Sequence, residues 1–206
     1  MFNLKVMLGG TFDPIHLGHL HIADVVAQHL SQPIEFLPCR HPAYKTAPST
    51  SIEQRITMLQ LALEPHTHFH LNLFEINHPT LQSTYDTFKA LKQDNPHQTY
   101  AFIIGSDSLE TFHSWDHWTD LSKLIHCIVV NRTAHRLTCP TILQDYFEWT
   151  HNPEALTQHT SGQLLHLQAP HQPISSSYIR AHIHKVKTET QLPQSVWHYI
   201  QQEGLY

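Results

Sequence analysis

The chain has 206 residues, with 12 lysines and arginines against 17 aspartates and glutamates, a net charge of −5 with histidine neutral, and 21 histidines. An acidic balance of this kind argues against a nucleic-acid or anionic-membrane surface, so any polyanion must be held by a few placed cations, backbone N–H groups or histidines. No apolar run approaches the roughly 20 residues that span a bilayer, no secretory leader is expected from the N-terminal residues, and three cysteines without C-x-x-C spacing exclude a disulfide scaffold and point to a reducing, cytoplasmic setting.

Leu4 to Leu8 reads as a strand ending at Gly9-Gly10, and Leu17 to Leu30 carries Leu17, Leu20, Ala23, Val26, Ala27 and Leu30 at helical spacing. Ile34 to Leu37 is a second strand closed by Pro38. A proline-containing loop (41–49) leads to Thr50 and Glu53, which match a capping box for a helix over Ile52 to Leu63 that Pro65 stops. Phe69 to Ile76 alternates as a strand, Ser83 to Lys92 is helical, and Tyr100 to Ile104 and Ile125 to Val130 are fully apolar strands. Residues 133–163 are weakly patterned and read as a variable excursion. Leu164 to Leu167 is a last strand, and helices are expected from Ser175 and over Pro193 to Glu203, the latter stopped by Gly204. Continuous Val/Ile strands separated by helices predict an α/β protein, a Rossmann-like doubly wound parallel sheet with helices on both faces. With no repeat or composition break, residues 1–206 are expected to form a single domain with a C-terminal helical segment from about residue 175.

The segment Gly9-Gly10-Thr11-Phe12-Asp13-Pro14-Ile15-His16-Leu17-Gly18-His19 joins the first strand to the first helix, a common place for phosphate to bind. It has neither the G-x-G-x-x-G dinucleotide spacing nor the G-x-x-x-x-G-K-[ST] phosphate loop. It does place His16 and His19 on one face of the first helical turn. Two histidines at a positive helix end suggest an anion between them, and Gly18 lets a ligand approach the backbone.

This eleven-residue block resembles the signature of the H-x-G-H nucleotidyltransferase superfamily, and within it that of bacterial nicotinate-nucleotide adenylyltransferases. The resemblance extends along nearly the whole chain. Ile104-Gly105-Ser106-Asp107-Ser108-Leu109 resembles the block in which a carboxylate binds the ATP ribose, and Ile174-Ser175-Ser176-Ser177-Tyr178-Ile179-Arg180 resembles I-S-[SA]-T-x-I-R, with Ser177 in place of threonine. Trp115, in Phe112-His113-Ser114-Trp115, matches a tryptophan that stacks on the pyridine ring. Lys45 is retained from a Pro-Pro-His-Lys loop in which Ala43 and Tyr44 depart from the pattern. Arg55 and Arg132 match family arginines, and Thr84 and Thr87 match family threonines, with Ser83 where a tyrosine is usual.

The resemblance implies a transfer of the adenylyl group of ATP to nicotinate mononucleotide, giving deamido-NAD and pyrophosphate. It implies catalytic roles for His16, His19 and Arg180, and ATP contacts at Gly9, Gly10, Thr11, Phe12, Gly18, Gly105, Asp107, Ile174, Ser175 and Ser177. Mononucleotide contacts fall to Lys45, Arg55, Thr84, Thr87, Trp115 and Arg132. Mg2+ is expected to arrive with ATP, since no acidic cluster resembles a protein metal cage. Three hydroxyls opening a helix, Ser175 to Ser177, are chemically an anion site. Competing readings are another enzyme of the superfamily, such as pantetheine-phosphate adenylyltransferase, and a histidine-rich metal-binding protein, suggested by His66, His68 and His70 and by His182 and His184.

Overall fold

Strands that are apolar on both faces have to be covered on both faces, and this requirement organises the molecule. The computed structural model describes residues 3–40, 48–131, 137–170, 172–184 and 189–206. In chain order the elements are β1 (Leu4–Gly10), α1 (Leu17–Leu30), β2 (Ile34–Pro38), α2 (Ile52–Leu63), β3 (Phe69–Leu71), α3 (Phe74–Asn77), α4 (Thr84–Asp94), β4 (Thr99–Gly105), α5 (Ser106–Thr111), α6 (Trp118–Leu121), β5 (His126–Asn131), β6 (Glu148–Thr150), α7 (Ala155–Gln158), β7 (Gln163–Gln168), α8 (Ser176–Ala181) and α9 (Gln194–Glu203).

The strands form one sheet in the order β3-β2-β1-β4-β5-β7-β6, and every pairing is parallel. Alternate residues face opposite sides. Val6, Leu8, Ile34, Phe36, Ala101, Ile103, Ile128 and Val130 join a core with α1, α2 and α9. Met7, Leu37, Tyr100, Phe102, Ile104, Cys127 and Val129 join a second core with Phe88, Leu91, Leu109, Phe112 and Leu121.

Four sequence expectations change. The cap of α2 is Ser51, whose hydroxyl accepts from the Gln54 N–H at 3.2 Å while Gln54 Oε1 accepts from the Ser51 N–H at 2.9 Å; the Thr50–Glu53 pair does not form it. Thr50 is diverted because its hydroxyl donates to Asp13 Oδ1 at 2.6 Å. The strand expected to reach Ile76 stops at Leu71. Asn72 then turns the chain into α3 by accepting the Phe74 N–H on its side chain at 2.9 Å, a local bond that competes with strand pairing. Residues 106–111 form α5, which periodicity did not single out. The excursion at 133–163 contributes the edge strand β6 and the short α7.

Candidate active site

β1 and β4 lie side by side at the centre of the sheet, in register Leu8↔Ile103, and their successors β2 and β5 lie on opposite sides. A crevice therefore opens beyond Gly10 and Gly105, at the reversal in strand order where parallel α/β sheets bind ligands. Gly9 is required there, because a Cβ would run into the Phe102 ring. Phe102 also lies edge-on to Trp115 at 6.3 Å, so one ring separates the glycine turn from the tryptophan.

After β1 the chain turns sharply. Phe12 has a left-handed backbone (φ 51) and buries its ring against Phe36 and the edge of His19, with the His19 ring centre 5.0 Å away. His16 then sits at the N-cap of α1. Its N–H donates to His19 Nδ1 at 3.3 Å, and the two imidazoles stack with centres 3.7 Å apart and planes at 22°. An accepting Nδ1 assigns the neutral-ring proton of His19 to Nε2. Gly18 permits this stack, since a Cβ there would lie 3.0 Å from His16 Nδ1 and 3.4 Å from Ile174 Cβ. The third sequence block thus meets the first at Gly18.

The turn is held from beneath and from the side. Arg55, on α2, is 1% exposed, and its Nη1 donates to the Thr11 carbonyl at 2.8 Å and the Cys39 carbonyl at 2.9 Å, tying the ends of β1 and β2 together. Its Nε and Nη2 are buried without a hydrogen-bond partner. Burial of Glu75 on α3 pushes its carboxyl up to about 7, and the Arg55 cation opposes that rise. Asp13, 4% exposed, accepts from the Ser49 N–H at 2.7 Å on Oδ2 and from the hydroxyls of Thr50 and Tyr206, at 2.6 and 2.7 Å, on Oδ1.

α8 closes the far side. Ser175 caps it by accepting from the Tyr178 N–H, Ser176 donates to the Pro14 carbonyl at 3.0 Å, and Arg180 donates through Nη1 to the Asp13 carbonyl at 2.7 Å and through Nη2 to Ser177 Oγ at 3.3 Å. The three hydroxyls thus also cap α8 and dock it onto the turn, Ser175 and Ser177 as acceptors and Ser176 as a donor. Asp107 is exposed in the first turn of α5, just past Gly105. Trp115 is half-buried and stacks on Phe112 at 4.9 Å. Thr84 opens α4 on the Ser83 cap, whereas Thr87 is 1% exposed and its hydroxyl donates to the Ser83 carbonyl. Lys45, its neighbours Ala43 and Tyr44, and Arg132 lie outside the described residues.

Sequence reasoning missed the roles of Asp13, Thr50 and Tyr206. The one sequence signal was an apolar Leu205-Tyr206 pair just past the Gly204 helix stop, where a returning chain packs on the core. The histidine-rich metal reading finds no centre among the described residues, where no group of three or more His, Cys, Asp or Glu side chains can hold an ion. His66 stacks on Phe69 and His68 pairs with Asp24 at 3.3 Å. No described helix is long and apolar enough to cross a membrane.

Residues 7–182 match the cytidylyltransferase-like family. The chain belongs to that family. The matched span runs from β1 to the end of α8 and so includes all three sequence blocks. Among curated relatives of this cytidylyltransferase-like chain, a Pectobacterium atrosepticum protein named "Probable nicotinate-nucleotide adenylyltransferase" is 36% identical, with both chains covered over 100% of their length. A Hahella chejuensis protein of the same name is 34% identical over 98% of this chain and 94% of its own. Among solved structures, Plasmodium falciparum nicotinic acid mononucleotide adenylyltransferase complexed with NaAD superposes with a TM-score of 0.77 at 22% identity, covering 99% of this chain and 97% of the other. That likeness establishes the shared nucleotidyltransferase fold.

Proposed function

We propose that this cytidylyltransferase-like chain joins ATP to nicotinate mononucleotide, forming deamido-NAD and releasing pyrophosphate, as part of NAD biosynthesis in the cytoplasm. The observation that carries the reading is the stacked His16–His19 pair on the N-terminus of α1, at the mouth of the central crevice. The names of its full-length relatives support the choice of substrate.

In this reaction a phosphate oxygen of the mononucleotide attacks the α-phosphorus of ATP. A new P–O bond forms, the α–β bridging bond breaks, and the electron pair leaves with pyrophosphate. The nucleophile is already anionic, so the protein's task is to align two anions and neutralise charge building on the bridging and leaving oxygens. His19, through its Nε2–H, and His16 supply donors to the triphosphate. They are assisted by Thr11 and the backbone of Gly9, Gly10 and Phe12, and by the positive end of a 14-residue helix. Arg180 supplies a planar cation next to the turn, where its Nη2 donates to Ser177 Oγ, and Ile174, Ser175 and Ser177 face the ATP from the same side. Gly105 clears the nucleoside side, and Asp107 accepts from the ribose hydroxyls.

The mononucleotide lies towards Trp115, whose ring face stacks on the pyridine, with Thr84 beside it and Thr87 ordering the start of α4. Arg55 offers its Nε and Nη2, both already desolvated, and Lys45 and Arg132 add cations. Mg2+ carried with ATP would offset phosphate charge, held chiefly by the triphosphate itself. The described strands belong to one sheet, α9 packs on α2, and Tyr206 reaches Asp13, all of which supports residues 1–206 working as a single unit.

The deciding experiment is pyrophosphate release from ATP with nicotinate mononucleotide, nicotinamide mononucleotide or phosphopantetheine as acceptor. Turnover confined to phosphopantetheine overturns the assignment. His19→Ala is expected to lower kcat by at least ~10²-fold, the scale of one lost charge-stabilising donor. Wild-type turnover in that variant removes His19 from the mechanism.

A further inference from the structure

α9 ends at Gly204, whose left-handed backbone (φ 60) reverses the chain, and the Leu205 N–H returns to the Ile200 carbonyl at 3.1 Å. The reversal lays Leu205 and Tyr206 against the core shared by α1, α2 and α9 and carries the Tyr206 hydroxyl to Asp13 Oδ1 at 2.7 Å. Burial raises the pKa of this phenol well above its usual value, so the hydroxyl remains a donor. Tyr206 lies beyond the span 7–182 that matches the family, and the interaction joins residues 193 positions apart.

From this arrangement we infer that Tyr206 is a positioning residue for the reaction: its hydroxyl, acting through the Asp13 carboxylate, holds the turn that presents His16 and His19. Asp13 stands three residues before His16, and among the described residues its carboxylate has three hydrogen-bond donors. Two of them, the Ser49 N–H and the Thr50 hydroxyl, come from adjacent residues of one segment. Tyr206 is the third, from a different part of the chain. With Tyr206 in place the carboxylate is pinned from two directions. Without its hydroxyl the remaining described hydrogen bonds originate on one segment, with the looser 4.0 Å approach of Arg180 Nη1 to Oδ2 beside them, and the carboxylate can swing, carrying the turn and α1's first residues along. The Arg180 bond to the Asp13 carbonyl, at 2.7 Å, transmits the same shift to α8. Reacting groups must be held to within a fraction of an ångström, and a misplacement of about 1 Å can cost on the order of 10²-fold in rate.

The inference rests on the nucleotidyl transfer assigned above, and the test separates the two. Tyr206→Phe keeps the ring and its packing and removes only the hydroxyl. With ATP and nicotinate mononucleotide as substrates, kcat is expected to fall on the order of ten-fold while KM for each stays within about two-fold. In an Asp13→Asn background the same change is expected to add little, because both act on one bond. Unchanged kcat in Tyr206→Phe, or an equal further loss in the Asp13→Asn background, overturns the inference. A second readout needs no turnover: in histidine-labelled protein, Tyr206→Phe is expected to move the ring resonances of His16 and His19, and unmoved resonances overturn the assignment. A wild-type protein inactive on these substrates sinks the transfer reading, while the resonance measurement still decides the role of Tyr206.

Discussion

Replacing His126 by Gln removes a group that the fold keeps neutral, and the effect on stability is readable as a slope against pH. His126, fully buried, accepts the Gln163 N–H on Nδ1 at 3.1 Å and faces the His159 carbonyl with Nε2 at 3.2 Å, which assigns its proton to Nε2. Burial pushes its pKa from the ordinary 6.5 down to about 4. The unfolded chain therefore binds a proton below pH 6.5 that the folded chain refuses until about pH 4. Its stabilising contribution is complete above 6.5 and is lost as pH falls towards 4, at about 1.4 kcal/mol per pH unit and about 3 kcal/mol in all. Glu75 has the opposite sign. Burial raises its pKa from 4.5 to about 7, so the folded state keeps a proton that the unfolded state releases, and stability is lost as pH rises from 4.5 to 7.

Between pH 4.5 and 6.5 the two slopes oppose each other in the wild type, and single variants expose them. Urea unfolding of wild type, His126→Gln and Glu75→Gln at pH 4.5, 5.5, 6.5 and 7.5, at constant ionic strength, is the assay. Measured against wild type, His126→Gln is expected to gain about 1.4 kcal/mol for each unit that pH falls within the window, and Glu75→Gln to gain a similar amount for each unit that it rises. Profiles of His126→Gln and wild type that run parallel, separated by a constant offset, refute the reasoning for His126. A parallel Glu75→Gln profile does the same for Glu75.

Gly18→Ala adds a Cβ 3.0 Å from His16 Nδ1 and so disturbs the imidazole stack. Alanine's better helix propensity, about 1 kcal/mol, is expected to maintain the melting temperature while kcat falls at least about ten-fold, and wild-type kcat contradicts this. Ser51→Ala is expected to cost about 1 kcal/mol of stability through loss of the α2 cap. Thr50→Val is expected instead to lower kcat by loosening Asp13; a silent Ser51→Ala in urea unfolding returns the cap to Thr50.

Local features carried much of what the sequence revealed. The first strand and helix were legible because each is specified within a few residues: an apolar run, and then apolar positions at helical spacing over Leu17–Leu30, bounds the structure reproduces, whereas Gly9-Gly10, read as the turn, are the last two residues of β1 and the turn follows them. The parallel sheet was legible because strands such as Tyr100 to Ile104 are apolar on both faces. The pairing of His16 with His19 also follows from helical geometry, whereas the crowding at Gly18 involves Ile174 from far along the chain.

Long-range pairing decided the rest. Thr50 looked like a helix cap from its neighbours alone, yet a carboxylate 37 residues away claims its hydroxyl and shifts the cap to Ser51. Arg55 matched a family arginine by position alone; that two carbonyls at the ends of neighbouring strands draw it inside had no local signal. Asp13 and Tyr206 meet across 193 positions. Hydropathy and spacing register which side a residue faces and what it can bond locally, and these determine elements, sheet type and chemical motif. A hydrogen-bond partner brought in by the sheet's strand order leaves no periodic trace, so how the catalytic turn is held was decided only when the chain had closed on itself.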